Sequence, residues 1–323
     1  MFRRDFLAGS AAALTLAASK PAYAQEYPTK LIRFLVGFPP GGSADLTMRQ
    51  YAHRLGPALG TTKTVIENLP GASSTIAAIQ TLRSDPDGHA LYLGSNVAQV
   101  LAPFMLKLSY DPLTALIPIT QLTTNASLVA VSAQYGVKNW AEFLAKAKGE
   151  KDGVFYGTSN AGFQLPGVQM AKLAGIKLVN VPFKGGAETV TAVLSGNIPM
   201  IIGTPPSILP HVKAGTIIPL CVTTPERSSV MPDVPGANEV GLKGLDSSSW
   251  FGLYAPAKTP DAIIRKLHAT IQPLMKDESL RNALAVEGME VKGSASPEAF
   301  AAFQKEDYDK NAELIKEAGL AVK

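Results

Sequence analysis

The sequence contains a single cysteine, Cys221, and this scarcity limits how the fold can be held together. One thiol cannot form an intramolecular disulfide, so the fold must depend on a hydrophobic core even in an oxidising compartment. Cys221 lies in the apolar segment IIPLCVT. This setting favours a small buried side chain over a reactive one.

Histidines are also few, and the glycine-rich segments lack the common nucleotide motifs. None of His53, His89, His211 and His268 stands in an HExxH arrangement or at another close ligand spacing, so a metal site has no support. The segment PPGGSAD lacks both the Lys-Ser/Thr of a P-loop and the GxGxxG spacing. We therefore expect no metal and no cofactor.

The chain has no run of basic residues of the kind that binds nucleic acid. Its formal charge is +4 over 323 residues. Residues 1–24 contribute three bases and one acid to that charge, which leaves 27 bases and 25 acids in the remainder. Such a near-neutral balance excludes a nucleic-acid partner.

Residues 1–24 have the three parts of an export signal. Arg3 and Arg4 provide a charged start, the run from Phe6 to Ser19 is apolar, and Ala22 and Ala24 complete a small-x-small cleavage site. The apolar run is shorter than the roughly 20 residues that a membrane span needs. We expect cleavage after Ala24 and a periplasmic protein. The arginine pair resembles a twin-arginine signal, and an ordinary secretory signal is the alternative.

Short apolar segments alternate with helical stretches, which predicts an α/β fold with mostly parallel sheets. The predicted strands lie at 31–38, 64–69, 90–96, 127–133, 154–159, 178–183, 198–204, 217–223 and 251–257. Two domains of ordinary size fit the mature length. We expect residues 25–123 and 257–323 to form one lobe and residues 124–256 to form the other.

Loops rich in glycine and hydroxyl residues follow four of the predicted strands. In an open parallel sheet, ligands bind at the carboxyl ends of the strands, where loops lead into helix N-termini. Such loops can hold a carboxylate by hydrogen bonds with few fixed charges, although each could also be a turn that needs glycine for geometry alone. The candidate residues are Phe38, Pro40, Gly41, Gly42, Ser43, Ala44 and Asp45, then Ser95 and Asn96, then Thr158, Ser159, Asn160, Ala161 and Gly162, and finally Gly203 and Thr204.

An exported serine hydrolase that uses Ser159 is the alternative function. The segment GTSNA at 157–161 misses the GxSxG nucleophile elbow by one residue, because Ala161 stands where the second glycine should be. A hydrolase would also need a histidine later in the chain, and His211 and His268 are the candidates. Each of them is more often structural or exposed than catalytic.

Long, ordered motifs resemble the solute-binding proteins of tripartite tricarboxylate transporters, the Bug or TctC-like family. They include YPTKLIRFLVGFPPGGSAD, DPDGHALYLGSN, VPFKGGAETVTAVLSG and SSWFGLYAPAKTPDAII. The resemblance implies a type II periplasmic binding protein fold, in which two α/β lobes with a ligand cleft between them close on an organic acid. It also implies delivery of that acid to a membrane permease. We expect no enzymatic activity and a monomer.

The resemblance also places two opposed ligand loops, at 38–45 and 157–164, which adds Phe163 and Gln164 to the candidate residues. The family usually has a small hydroxyl residue followed by histidine after the second loop, where this chain has Phe163 to Pro166. Pro199 and Gly203 also depart from the acidic pattern that usually follows VLSG. These departures imply a bulkier, more apolar pocket, which favours an aromatic or longer-chain acid over citrate.

Replacing Arg3 and Arg4 together by lysine is expected to block export, because the arginine pair is what the twin-arginine receptor reads. Immunoblots of cytoplasmic and periplasmic fractions would then show the precursor in the cytoplasm. Export at the parent level would instead indicate the general secretory route.

Overall fold

The computed structural model describes residues 27–61, 63–159 and 161–321, and the export signal predicted for residues 1–24 lies outside them. The strands are β1 (Ile32–Val36), β2 (Thr64–Asn68), β3 (Ala90–Ser95), β4 (Leu116–Ala126), β5 (Leu128–Ser132), β6 (Val154–Thr158), β7 (Leu178–Pro182), β8 (Met200–Gly203), β9 (Ile217–Val222), β10 (Ser248–Pro256) and β11 (Glu290–Val291). All nine predicted strands are confirmed, and β4 and β11 were not predicted.

The helices complete two α/β units. They are α1 (Ser43–Ala58), α2 (Thr75–Leu82), α3 (Ala102–Met105), α4 (Trp140–Ala147), α5 (Ala161–Ala174), α6 (Gly186–Leu194), α7 (Pro205–Lys213), α8 (Asp261–Leu274), α9 (Glu278–Ala285) and α10 (Pro297–Glu317). Short 3₁₀ turns lie at Ala72–Ser74 and Ala133–Tyr135, and a π-helical turn lies at Val97–Leu101. No helix in the described ranges is both long enough and apolar enough to span a membrane.

The strands form two sheets, which we use to define two lobes. The first lobe is built around a six-stranded sheet of order β11-β4-β10-β3-β1-β2, and the second around a five-stranded sheet of order β7-β6-β8-β5-β9. Strand β1 is parallel to β2 and β3, and β6 is parallel to β7 and β8. Strands β10 and β5 pair antiparallel with their neighbours. The sheets are therefore mixed, and the prediction of mostly parallel sheets was wrong. The reason is that β10 and β5, which lie next to the connections between the lobes, run antiparallel to the strands beside them.

The chain passes between the lobes at two adjacent connections. Strand β4 ends at Ala126 and β5 begins at Leu128 in the other sheet, while the return leads from β9 into β10. Buried Thr223 joins the two connections, because its N–H donates to the carbonyl oxygen of Ser127 at 3.0 Å and its own carbonyl oxygen accepts from the N–H of Ser247 at 2.8 Å. All of β10 pairs with the first sheet. The lobe boundaries expected at 123/124 and 256/257 stay a proposal.

Each sheet is covered by helices on both faces. Alternate side chains of a strand point to opposite faces, so Phe34 packs with α1 and α8 while its neighbour Leu35 packs with Tyr92 and Phe300 on the other face. In β5 the same alternation places successive side chains in two different hydrophobic clusters, one on each face of the second sheet. Cys221 is fully buried, and burial raises the pKa of its thiol to about 12, which agrees with its prediction as a small buried side chain.

Gly252 on β10 has no room for a side chain, and its replacement tests the packing of the first sheet against α10. A Cβ at this position would lie 2.1 Å from Cζ of the buried Phe300 ring. We expect Gly252→Ala to lower the free energy of unfolding by roughly 1–3 kcal/mol, measured by urea denaturation. Gly203→Ala is the matched strand control, because its Cβ would meet Ile208 at an ordinary 3.4 Å. Equal stability of the two variants would contradict this packing.

Candidate ligand-binding site

A cavity of about 650 Å³ lies where loops of both lobes meet. The first lobe contributes the loops that follow β1 and β3, and the second contributes those that follow β6, β7 and β8. Eleven of the residues predicted from the sequence line this cavity, namely Phe38, Pro40, Gly41, Gly42, Ser43, Ala44, Ser95, Asn96, Ser159, Phe163 and Thr204. The structure thus brings together loops that are far apart in the sequence.

Helix N-termini from both lobes contribute to the cavity wall. Helix α1 contributes Ser43 and Ala44, and helix α6 contributes Gly186 and Ala187. The first N–H groups of an α-helix have no acceptor within the helix, and the helix dipole makes this end favourable for an anion. Each lobe therefore contributes one set of helix N–H donors to the cavity wall.

The N-caps at the cavity lack the side-chain hydrogen bond that several other N-caps of the molecule form. Gly42, Gly185 and Thr204 precede α1, α6 and α7, and none of them forms a side-chain hydrogen bond to its helix. By contrast, the side chains of Asn139, Asp277 and Ser296 accept hydrogen bonds from the helices that follow them, which are α4, α9 and α10. The helices at the cavity thus keep first-turn N–H groups that no N-cap side chain occupies.

Helix α7 supplies fewer donors than its position suggests. Its first two residues are Pro205 and Pro206, which have no N–H group. The N–H of Ser207 approaches the carbonyl oxygen of Thr204 at 3.3 Å, and its hydroxyl donates to the same oxygen at 2.9 Å. The α7 N-terminus can therefore interact with a ligand mainly through its helix dipole and the Thr204 hydroxyl, and only weakly through backbone N–H groups.

Asp45 fixes the loop after β1 and does not line the cavity. Its Oδ2 accepts from the N–H of Gly41 at 2.9 Å and from Nε of Arg49 at 2.8 Å. Its Oδ1 accepts from Nδ2 of Asn68 at 3.0 Å, and the same amide donates to the carbonyl oxygen of Phe38 at 3.0 Å. The carboxylate thus holds both ends of the segment that presents the α1 N-terminus.

The surroundings of Asp45 favour its charged form. Burial by itself raises the pKa of this carboxyl, but the hydrogen bonds from Arg49, Gly41 and Asn68 outweigh burial, so the pKa is lowered from its ordinary value of 3.8. Asp45 is therefore a positioning residue that acts on the loop through its negative charge.

Four other predicted residues do not line the cavity. The hydroxyl of Thr158 donates to Oδ1 of Asn180 at 2.8 Å, so it is engaged inside the sheet. Gly162 lies in a separate cavity of about 290 Å³ against α10, the carbonyl oxygen of Gln164 accepts from the hydroxyl of Tyr156, and Gly203 is the last residue of β8. Ala161 is the first residue of α5, and Asn160 lies outside the described residues.

Several cavity residues were missed by the sequence prediction. Gly186 and Ala187 lie in the segment KGGAE after β7, which has the same strand, glycine and helix pattern as the predicted loops. Asn125, Ser249 and Phe251 lie on β4 and β10, where no loop marks them. The ring of Phe251 meets Phe38 edge to face, with centroids 6.0 Å apart, and gives the cavity an apolar side.

The geometry gives no support to a catalytic triad at Ser159. No histidine is among the described residues that line the cavity. His211 lies in the last turn of α7, seven positions after Thr204, which corresponds to roughly 10 Å along a helix axis. His268 lies with Nε2 2.9 Å from the carbonyl oxygen of Ser294. The described side chains also hold no group of three or more His, Cys, Asp or Glu that could bind a metal ion.

Two α/β lobes that enclose a cavity under helix N-termini define a solute-binding protein of the periplasmic binding protein class. The chain belongs to the family described as the tripartite tricarboxylate transporter family receptor, whose sequence model matches residues 47–320. This confirms the family inferred from the motifs, whose members are periplasmic solute-binding proteins.

Known relatives match almost the whole chain. A UPF0065 protein in the gbd 5′ region of Cupriavidus necator is 32% identical over 332 residues, covering 99% of each chain. The structure of R. palustris Rpa4515 with adipate has a TM-score of 0.82 and 28% identity, covering 91% of this chain and 99% of its own. MatC from Rhodopseudomonas palustris with bound malate has a TM-score of 0.76 and 26% identity, covering 90% of this chain and 100% of its own.

Asp45→Asn tests the role of the Asp45 charge, because it keeps the shape of the side chain. We expect a loss of roughly 1–3 kcal/mol in the free energy of unfolding at pH 7. Because the folded-state pKa lies below the unfolded value, ionised Asp45 stabilises the fold above the unfolded pKa, and this stabilisation is lost as the pH falls through the folded-state pKa. Denaturation at several pH values should show the difference between parent and variant shrinking below about pH 4. A difference independent of pH would contradict this role.

Proposed function

We propose that this chain is a periplasmic protein that captures a small organic acid by its carboxylate. In this proposal it delivers the acid to the membrane permease of a tripartite tricarboxylate-type transporter. The observation that carries the proposal is the convergence of uncapped helix N-termini and hydroxyl groups on one cavity whose described lining contains no cationic side chain. Backbone N–H groups can hold a carboxylate by charge-assisted hydrogen bonds without a fixed positive charge.

The relatives with bound ligands support an organic acid as the solute. Adipate and malate, the ligands of the two related structures, both carry carboxylates. In this chain the hydroxyl of Ser159, the hydroxyl of Thr204 and the first turns of α1 and α6 are the groups that would receive the carboxylate. The protein binds its solute as a monomer and without a cofactor in this proposal.

The apolar side of the cavity supports an aromatic or longer-chain acid. Phe38 and Phe251 lie edge to face, and the buried Phe163 lines the same cavity. Leu46 and Val97 extend this apolar lining in the first lobe. A ligand body that buries apolar area against these side chains gains free energy with the area removed from water. The carboxylate would then lie at the helix N-termini and the apolar body against the phenylalanine rings.

A thermal-shift screen of the mature protein finds the ligand class. A ligand that binds only the folded state raises the unfolding temperature according to its concentration and its Kd. The screen would compare mono-, di- and tricarboxylates and aromatic acids with neutral sugars and cationic amines. We expect every hit to carry a carboxylate. Stabilisation by a sugar or an amine, with none by an acid, would contradict the proposal.

Ser159→Ala separates ligand capture from hydrolysis. A hydrogen bond to a charged group is worth roughly 1.5–3 kcal/mol, so calorimetry with the best acid from the screen should show an affinity about tenfold to a hundredfold lower. Ser84→Ala, which removes a hydroxyl near the end of α2, should leave the affinity unchanged. A nucleophilic Ser159 would instead give ester turnover in the parent protein that disappears in Ser159→Ala.

Phe163→Ser is the second arm of the same calorimetry. It should weaken an aromatic acid by removing apolar contact and leave small dicarboxylates unchanged or tighter. Equal weakening of both kinds of acid would contradict an apolar subsite at Phe163.

A further inference from the structure

Among the described residues that line the cavity, Glu287 has an acidic side chain and all the others have neutral side chains. It is half-buried, and its carboxylate forms no hydrogen bond or ion pair with another residue in the part of the chain that the structure describes. A site whose N–H groups and helix dipoles attract an anion thus contains one unpaired negative charge of its own. This combination is unfavourable for a ligand that brings negative charge to both of its ends.

The end of helix α9 fixes the backbone that carries Glu287. The N–H groups of Glu287 and Met289 donate to the carbonyl oxygen of Leu284, each at 3.0 Å. The N–H of Gly288 donates to the carbonyl oxygen of Ala285 at 2.9 Å. Gly288 has a φ of +68°, the left-handed conformation that commonly ends a helix and that favours glycine. The position of residue 287 is therefore set by the helix end.

The same segment contacts the first turns of two helices whose N-termini line the cavity. A Cβ on Gly288 would lie 2.3 Å from Cβ of Pro205, the first residue of α7. The hydroxyl of Thr47, near the start of α1, donates to Sδ of Met289 at 3.2 Å. Glu287 therefore enters the cavity from a segment held between one helix of each lobe.

A further contact anchors this segment to the second lobe. Oε1 of Glu290 accepts from the hydroxyl of Ser228 at 2.6 Å and from the N–H of Ser229 at 3.1 Å. Glu290 is thus satisfied by its own partners, whereas Glu287, three residues earlier, has none among the described residues. Glu290 therefore joins the lobes, whereas Glu287 does not.

We propose that Glu287 is a specificity-determining residue that selects against a second carboxylate on the ligand. This inference rests on the proposed function, because it places the first carboxylate at the helix N-termini. A second negative charge would share a cavity of about 650 Å³ with the Glu287 carboxylate. Like charges in a partly desolvated site repel strongly enough to weaken binding by about tenfold. The preferred solute is then a monocarboxylate whose far end is apolar or donates a hydrogen bond.

Calorimetry with pairs of acids that differ by one carboxylate tests this inference. The aliphatic pair is hexanoate and adipate, and the aromatic pair is 3-phenylpropanoate and its 4-carboxyl derivative. Each pair is titrated at fixed ionic strength into the mature parent protein, Glu287→Gln and Glu313→Gln. Glu313 is exposed on α10 and outside the cavity lining, so its variant removes the same charge without changing the site.

We expect the parent to prefer the monocarboxylate and Glu287→Gln to shift the ratio of the two affinities by about tenfold toward the dicarboxylate. Glu313→Gln should keep the parent ratio. If both acids of a pair bind and the ratio is the same in Glu287→Gln as in the parent, the specificity role of Glu287 is overturned and the proposed function stands. If the parent binds no monocarboxylate of either pair, or prefers the dicarboxylate, this inference is overturned, and the proposed function is still decided by the wider thermal-shift screen.

Discussion

The antiparallel pairing of β4 with β10 is the constraint on which the rest of the structure depends. These two strands lie side by side in the first sheet and lead into and out of the second lobe, where Ser127, Thr223 and Ser247 are joined by backbone hydrogen bonds. Because both connections lie at the same end of this strand pair, the loops beyond the parallel strands of each lobe meet across one cavity. Asn125 and Ser249, near the ends of these strands, form part of its wall.

The electrostatics of the site follow from this arrangement. Helix N-termini provide partial positive charge from both lobes. The carboxylate of buried Asp45 accepts hydrogen bonds that hold the loop and does not line the cavity. In the proposed function these helix N-termini attract an anion without a lysine or arginine in the described lining of the cavity. A site of this kind can recognise a carboxylate by geometry and leave the remainder of the ligand to apolar contacts and to Glu287.

The parts of the fold and site that the sequence predicts are those that obey simple local rules. Apolar strands followed by glycine, a hydroxyl residue and a helix mark the loops at Gly41–Ser43, Ser159 and Thr204, since ligand sites lie at the carboxyl ends of parallel strands. Gly186 follows the same order of strand, glycine and helix without the hydroxyl residue, and the rule relaxed in this way would have found it after β7. Strand β4 was missed because its sequence LIPITQLTTNA is rich in polar residues and contains Pro118.

Other features depend on contacts between distant segments, which a local pattern does not contain. The sequence at Asp45 is equally compatible with a ligand contact and with a loop brace, and only the positions of Arg49 and Asn68 decide between them. Phe251 and Glu287 reach the cavity from a central strand and from a helix end, with no glycine-rich loop beside either. Gly162 likewise lines the smaller cavity because α5 packs against the first lobe, where Leu165 joins the cluster of Trp250 and Phe300.

The most direct measurement is the change in backbone amide resonances of the ¹⁵N-labelled mature protein when an organic acid from the screen is added. Capture at the helix N-termini predicts that the amides of Ser43 and Ala44 on α1 and of Gly186 and Ala187 on α6 shift in a saturable manner. The smaller cavity, lined by Asp246, Asp307 and Lys310, provides the contrast. Shifts confined to those residues, with the amides of α1 and α6 unchanged, would contradict carboxylate capture between the lobes.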